Sequence, residues 1–278
     1  MKPEGTTVLI TGSTSGVGRE VALRLGKAGA TVLVHGRDRS SGEEVVEAIR
    51  ERGDGHGVFY RADLASLDEV RGLAEAVLAD DDRLDLLINN AGIGLGRSGT
   101  GRETSADGYE LRFAVNYLAG FLLTRLLLQR ILASAPARIV NVASGAQDPI
   151  DFDDVMLERG YSGSRAYGQS KLAQVLFTFD LARELEGTGV TVNCLHPATL
   201  MDTKLVRESG LPPATGVDEG AKAILHVAAS PETEGRTGVY FEGRRPARAH
   251  DQAYDEDARE RLRELSVELT GAPEHQPA

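Results

Sequence analysis

Thr6-Thr7-Val8-Leu9-Ile10-Thr11-Gly12-Ser13-Thr14-Ser15-Gly16-Val17-Gly18 carries the reading of the fold. Thr6 to Ile10 is a short, largely apolar run that stops at glycine, which reads as a buried strand. A helix follows from about Gly16 to Lys27, with Val21, Ala22 and Leu25 on one face. Strand, glycine turn and helix in that order present backbone N–H groups and a helix N-terminus to a phosphate. The spacing is T-G-x-x-x-G-x-G rather than G-x-G-x-x-G. Many strand-to-helix turns need glycine only for its positive φ. The position behind the first strand of the chain points further, to a dinucleotide held by Gly12, Ser13, Thr14, Ser15, Gly16, Val17 and Gly18.

Outward from this unit, strands and helices alternate. Strands are predicted at Ala30–His35, Val58–Arg61, Leu84–Asn89, Arg138–Val142, Val190–Leu195 and Gly238–Phe241. Helices are predicted at Ser40–Arg52, Ser66–Ala79, Ala106–Ala133, Ser164–Glu186, Val217–Ser230 and Asp255–Thr270. Alternation of this kind gives an α/β fold, a doubly wound parallel sheet of about seven strands with helices on both faces. No repeat or linker divides the chain, so residues 1–278 are expected to form a single domain. Gly271 to Ala278 read as a frayed tail.

Composition narrows the partners. The 278 residues are 41% hydrophobic but only 5% aromatic, so the core is aliphatic, as parallel strands require. A net charge of −11 argues against nucleic acid and anionic membranes. The single cysteine, Cys194, allows no internal disulfide and no multi-cysteine metal site, and no metal is expected. The segment Leu118–Leu132 carries Arg125 and Arg130 and is too short to span a bilayer. Met1-Lys2-Pro3-Glu4-Gly5 runs straight into a strand, so no signal peptide is expected and the location is read as cytoplasmic.

Two further stretches carry chemistry. The second strand should end at an adenine ribose, where NAD sites usually place an acid. Here it runs Val34-His35-Gly36-Arg37-Asp38. Glycine removes repulsion toward a 2′-phosphate and Arg37 can chelate one, which favours NADP (NADPH) over NAD, with Asp38 as the opposing charge. In Ser164-Arg165-Ala166-Tyr167-Gly168-Gln169-Ser170-Lys171-Leu172, Tyr167 and Lys171 lie four apart on one helix face. A cation beside a phenol favours phenolate and lowers its pKa. Tyr161 and Arg165 share the spacing, but they precede the helix proper and arginine does not release a proton.

With these motifs in order, the chain resembles the short-chain dehydrogenase/reductase family over about Thr6 to Phe241. Asp63-Leu64 sits where that family places an acid near the adenine. Asn89-Asn90-Ala91-Gly92 matches its segment after the fourth strand, which adds Asn90, Ala91 and Gly92 to the cofactor residues. Asn116 in Phe113-Ala114-Val115-Asn116-Tyr117, Ser144 closing Asn141-Val142-Ala143-Ser144, and Tyr167 with Lys171 match the catalytic set. The segment Asp148–Asp154 and Tyr240-Phe241-Glu242-Gly243 look like the retinol dehydrogenase-like and carbonyl reductase-like members.

The resemblance implies a Rossmann-type sheet and hydride transfer between a nicotinamide and a carbonyl or alcohol. Tyr167 would be the general acid. Lys171 would lower its pKa and bind the nicotinamide ribose, Ser144 would bond the substrate oxygen, and Asn116 would hold a water leading from Lys171 to solvent. After the sixth strand the chain reads His196-Pro197-Ala198-Thr199 where the family often has Pro-Gly. Pro197 and Thr199 are expected at the cofactor, with Thr203 as an alternative hydroxyl. The substrate loop, about residues 198–216, is apolar and favours a hydrophobic or aromatic small molecule. The resemblance also allows a homodimer or homotetramer paired through the helix that follows Tyr167. Competing readings are a non-redox epimerase, dehydratase or cyclase on the same fold, and a non-catalytic NADP sensor.

Overall fold

A computed structural model describes residues 1–96 and 101–273. Among these, one eight-stranded sheet runs through the molecule in the order β3-β2-β1-β4-β5-β6-β7-β8. Its strands are β1 (Thr7–Ile10), β2 (Thr31–Gly36), β3 (His56–Arg61), β4 (Leu86–Asn89), β5 (Ala137–Val142), β6 (Val190–His196), β7 (Val239–Glu242) and β8 (Arg245–Pro246). The first seven are parallel; β8 turns back antiparallel after Gly243, whose φ is +59°. This short return strand is one more than the seven expected, and its two residues carry no apolar pattern to announce it.

The helices are α1 (Gly16–Lys27), α2 (Arg39–Arg52), α3 (Leu67–Asp80), α4 (Ala119–Ala133), α5 (Gly163–Glu184), α6 (Lys204–Glu208), α7 (Val217–Ala229) and α8 (Glu256–Thr270). Side chains alternate across each strand, so the sheet feeds two aliphatic layers. Leu9, Leu33, Leu87, Ile139 and Val192 face α3, α4 and α5. Val8, Ile10, Val32, Val34, Ile88 and Val140 face α1, α2 and α7. Burying each such side chain contributes roughly 1.5–3 kcal/mol.

Three expectations need correction. The long helix predicted from Ala106 starts only at about Leu111. Ser105 Oγ accepts from the N–H groups of Asp107 and Tyr109 and closes a turn there, with Gly108 at φ +86°. The helix then passes through a π-helical segment, Phe113–Leu118, before α4 begins. The expected substrate loop contains a short helix, α6, capped by Thr203.

The tail, finally, is anchored as far as it is described. Gly271 closes α8 at φ +59° and Ala272 is buried; residues 274–278 lie outside the described residues.

Helix α8 explains a pattern that the sequence left open. The apolar flanks of α5 (Leu172, Val175, Leu176, Leu181) are fully buried within one chain. α8 lies on α5, Arg263 pairs with Asp180 at 3.1 Å, and Tyr117 shares a buried 2.7 Å hydrogen bond with Ser266. These apolar flanks of α5 are thus buried by α8 of the same chain.

The sheet order reverses between β1 and β4, and the register aligns the carboxyl ends of β1, β4, β5 and β6. Such a reversal opens a crevice at the strand ends. The glycine loop, the loops after β4 and β6, Ser144 and the Tyr167–Lys171 pair converge there.

Candidate active site

A cleft of about 900 Å³ lies over these strand ends. Its cofactor side is built from the glycine loop. Gly12 adopts φ +64°, and a Cβ there would lie 2.9 Å from Ala91 Cα, so the loops after β1 and β4 touch backbone to backbone. A Cβ on Gly18 would run into the Asn90 amide and the Gly12 carbonyl. Asn90 Nδ2 donates to the carbonyls of Thr11 and Gly12 at 2.9 and 3.1 Å. Thr11 Oγ1 in turn accepts from the N–H groups of Asn90 and Ala91, both at 3.0 Å.

Thr14, Ser15, Gly16, Val17 and Gly18 line the cleft. Ser15 stands at the N-cap of α1 without its hydroxyl bonding to the first turn, which leaves those N–H groups facing the cleft. The set fits a pyrophosphate. Ser13 does not share this role through its side chain. It is fully buried, donating to Ile10 O at 2.8 Å and accepting from His35 N–H at 3.0 Å, and so ties β1 to β2.

His35 is a contributor that sequence reading passed over. Burial pushes its pKa down to about 4, so its ring is neutral and Nδ1 accepts from Gly12 N–H at 3.1 Å. The only sequence signal was its place at the end of the second strand.

At that strand end, a Cβ on Gly36 would collide with Thr14. Arg37 Nη1 lies 3.6 Å from Asp63 Oδ2, and both side chains are substantially exposed. Such a pair is worth little in water and leaves the guanidinium free to turn toward an anion. Asp38 caps α2, its Oδ1 accepting from Ser41 N–H at 2.8 Å, and it lines the same end of the cleft. Leu64, nearly buried, lines the same end of the cleft.

The four expected catalytic residues come together at the other end. Ser144 follows β5, and its Oγ accepts from Ala146 N–H at 3.1 Å. Its carbonyl is held by Tyr240 Oη at 3.2 Å and Gln147 Nε2 at 2.9 Å. Tyr167 and Lys171 stand on the first turns of α5, with Lys171 Nζ 5.8 Å from the Tyr167 ring centre.

Lys171 is buried, donates to Val142 O and Gln174 Oε1 at 2.9 Å each, and burial pushes its pKa down to about 7. Burial pushes the Tyr167 phenol up, while the neighbouring Ser144 hydroxyl pulls it part of the way back. Of these two effects on the phenol, burial is the larger.

Asn116 lies on the π-helical segment, where it reaches back to the loop after β4. Its Oδ1 accepts from Ile93 N–H at 2.8 Å, and its Nδ2 donates to Ile93 O at 3.2 Å and Ser170 Oγ at 2.9 Å. Both amide hydrogens are thus committed within the protein, so the side chain clamps the β4 loop to α5. Gly92 fits beneath it, since a Cβ would meet Asn116 Oδ1 at 3.2 Å and Lys171 Nζ at 3.5 Å.

Pro197 and Thr199 line the cleft, Thr199 Oγ1 lying 3.1 Å from His196 Nε2. Thr203 caps α6 and rests beside Gly16.

The segment between Ser144 and Tyr167 packs as a structural flap. Ile150 exchanges backbone hydrogen bonds with the Gln252 side chain, and Ile150, Val155 and Leu157 are buried. From this flap, Gly145 and Ala146 reach the cleft. The decoy pair separates: Arg165 binds Asp151 at 2.8 Å, while Tyr161 Oη accepts from Arg112 at 2.7 Å. The remaining wall of the cleft carries the apolar side chains of Ile93, Leu95, Leu111, Val115, Met201 and Leu205, with Lys204, Glu208, Ser209 and Glu242 as its polar members.

Comparison with known proteins places this geometry in context. The family model for the short chain dehydrogenase matches residues 6–212. Human retinol dehydrogenase 14 is 39% identical over 296 residues, covering 96% of this chain and 87% of the human protein. A solved structure of an uncharacterised protein from Mycobacterium paratuberculosis superposes with a TM-score of 0.79 at 31% identity, covering 97% and 94% of the two chains. The 3-ketoacyl-(acyl-carrier-protein) reductase of Brucella melitensis, solved with NADH, gives 0.69 at 27% identity, covering 87% and 99%.

Proposed function

The chain belongs to the short-chain dehydrogenase/reductase family, as a retinol dehydrogenase-like oxidoreductase, and we propose that it uses NADPH to reduce the carbonyl of a hydrophobic or aromatic small molecule. The observation that carries this reading is Tyr167: a buried phenol with its pKa raised, at the apolar end of the cleft, beside Ser144 and Lys171.

The nicotinamide supplies the hydride when bound. Everything else falls to the chain. A carbonyl that gains hydride develops negative charge on oxygen, so the site must donate a proton and stabilise that charge. A phenol held above its ordinary pKa stays protonated through the neutral range and is ready to donate. The Ser144 hydroxyl, fixed by Ala146 N–H, offers the second hydrogen bond to the same oxygen. Lys171 would compensate the phenolate left behind and hold the ribose hydroxyls. Asn116, as a positioning residue, keeps Gly92 and Ile93 against α5. The glycine loop and the open first turn of α1 would take the pyrophosphate.

NADPH rather than NADH is supported by Gly36, by the exposed Arg37, and by the use of Asp38 as a helix cap. The family alone does not decide it, since the Brucella reductase was solved with NADH. The apolar side chains of that wall support a hydrophobic substrate.

Mutation of Tyr167 to Phe tests the central point. Carbonyl-dependent NADPH oxidation should fall by roughly 10²–10⁴-fold, with NADPH affinity retained. Activity within a few fold of wild type would remove Tyr167 from the mechanism.

A further inference from the structure

Outside the cleft lies a buried ion pair that the reaction does not use. Arg112 and Glu110, on the approach to the π-helical segment, are 2% and 1% exposed. Their nearest charged atoms, Arg112 Nη1 and Glu110 Oε1, are 3.5 Å apart. Buried ion pairs are often no more stable than apolar residues of the same shape, so their retention calls for a geometric reason.

The Arg112 fork supplies one. Nε donates to Gly94 O at 2.8 Å and Nη2 to Leu95 O at 3.1 Å. Nη1 also donates to Tyr161 Oη at 2.7 Å, just ahead of α5. Glu110 closes the cluster from the other side, accepting from Phe113 N–H at 2.7 Å and from Tyr161 Oη at 3.3 Å. A planar guanidinium can hold two successive carbonyls at once; a lysine cannot.

The two carbonyls belong to residues that face the cleft. Gly94 is the seat of α6, since a Cβ there would lie 3.0 Å from both Leu205 O and Ser209 Oγ. Leu95 O presses on Gly163, the first residue of α5, where a Cβ would collide with it. One guanidinium therefore sets the segment on which the substrate-loop helix rests and against which the Tyr167 helix starts.

We propose that Arg112, held by Glu110 and Tyr161, is a positioning residue that shapes the substrate side of the cleft through Gly94 and Leu95. Arg112 itself does not line the cleft. The proposal rests on the carbonyl-reductase reading for its kinetic consequence but not for its structural one.

The test uses the full chain, with 2-naphthaldehyde as the probe substrate. Two variants are compared with wild type: Tyr161→Phe, which removes one hydroxyl, and the double variant Glu110→Gln/Arg112→Gln, which leaves no unpaired buried charge. KM for 2-naphthaldehyde should rise at least tenfold in the double variant and by a smaller factor in Tyr161→Phe. kcat should stay within threefold and the Kd for NADPH within twofold.

Amide exchange over residues 93–96 and 205–209 should speed up at least tenfold in the double variant, with β4 and β5 unchanged. The proposal is overturned if KM or this exchange stays within twofold of wild type, or if NADPH affinity falls as much as KM rises. Should the double variant fail to fold, Tyr161→Phe decides on the same two readouts. Should wild type not turn over 2-naphthaldehyde, the exchange pattern alone decides the positioning role.

Discussion

Replacing Lys171 by Met should make the protein more stable at low pH and less stable at high pH. Lys171 is fully enclosed, and burial lowers its pKa from 10.5 to about 7. At about 1.4 kcal/mol per unit, holding the charged form in this site costs about 5 kcal/mol below pH 7. Methionine removes that cost. It also removes the bonds to Val142 O and Gln174 Oε1 and leaves both acceptors unsatisfied, a loss of about 3 kcal/mol in all. The net gain at pH 6 is about 2 kcal/mol.

The sign changes with pH. Between about 7 and 10.5 the unfolded lysine is protonated and the folded one is not, so the stability of the wild type rises with pH relative to a variant that cannot titrate. By pH 9 the difference has moved by about 2.6 kcal/mol, so the two curves cross at about pH 8.5. Urea unfolding of both proteins without cofactor at pH 6, 7, 8 and 9, extrapolated linearly to water, measures the gap. A gap that stays flat with pH, or one that grows in favour of Met as pH rises, refutes the argument.

Two other substitutions probe the cofactor side. Arg37→Ala should weaken NADPH binding by roughly 10–100-fold, the value of a charge-assisted hydrogen bond, and leave NADH little changed. Fluorescence titration with both cofactors checks this, and a wild type that prefers NADH would overturn the choice of NADP. Gly18→Ala forces a methyl onto the Asn90 amide and the Gly12 carbonyl. It should cost about 1–3 kcal/mol of stability from overpacking and weaken NADPH further by displacing the loop. An unchanged melting temperature together with an unchanged Kd would mean that the loop does not need this glycine.

The fold was legible because buried parallel strands are continuous aliphatic runs, as in Val8-Leu9-Ile10 and Val32-Leu33-Val34, bounded by glycine or by helix caps such as Asp38 and Ser66. The hidden parts depend on register or on packing between distant segments. Nothing local shows that His35 will meet Gly12 across two strands, or that Tyr240 will hold the carbonyl of Ser144. A helix apolar on several sides reads equally as an interface or as a core, and only α8, some eighty residues later, decides for the core. Glu110 and Arg112 look like charges on a solvated helix, yet their side chains are almost wholly enclosed.

The Tyr167–Lys171 pair shows most clearly what the third dimension adds. In the sequence the two groups act on each other, cation on phenol. In the fold each answers first to burial, which drives lysine and phenol alike toward the neutral form. A neutral phenol donates a proton without preparation. Oxidation of an alcohol would require that proton to be removed beforehand, against the same desolvation. The raised phenol is what the proposed reductase role asks of Tyr167, and Lys171, buried beside it, is the group placed to meet the charge once the proton has left.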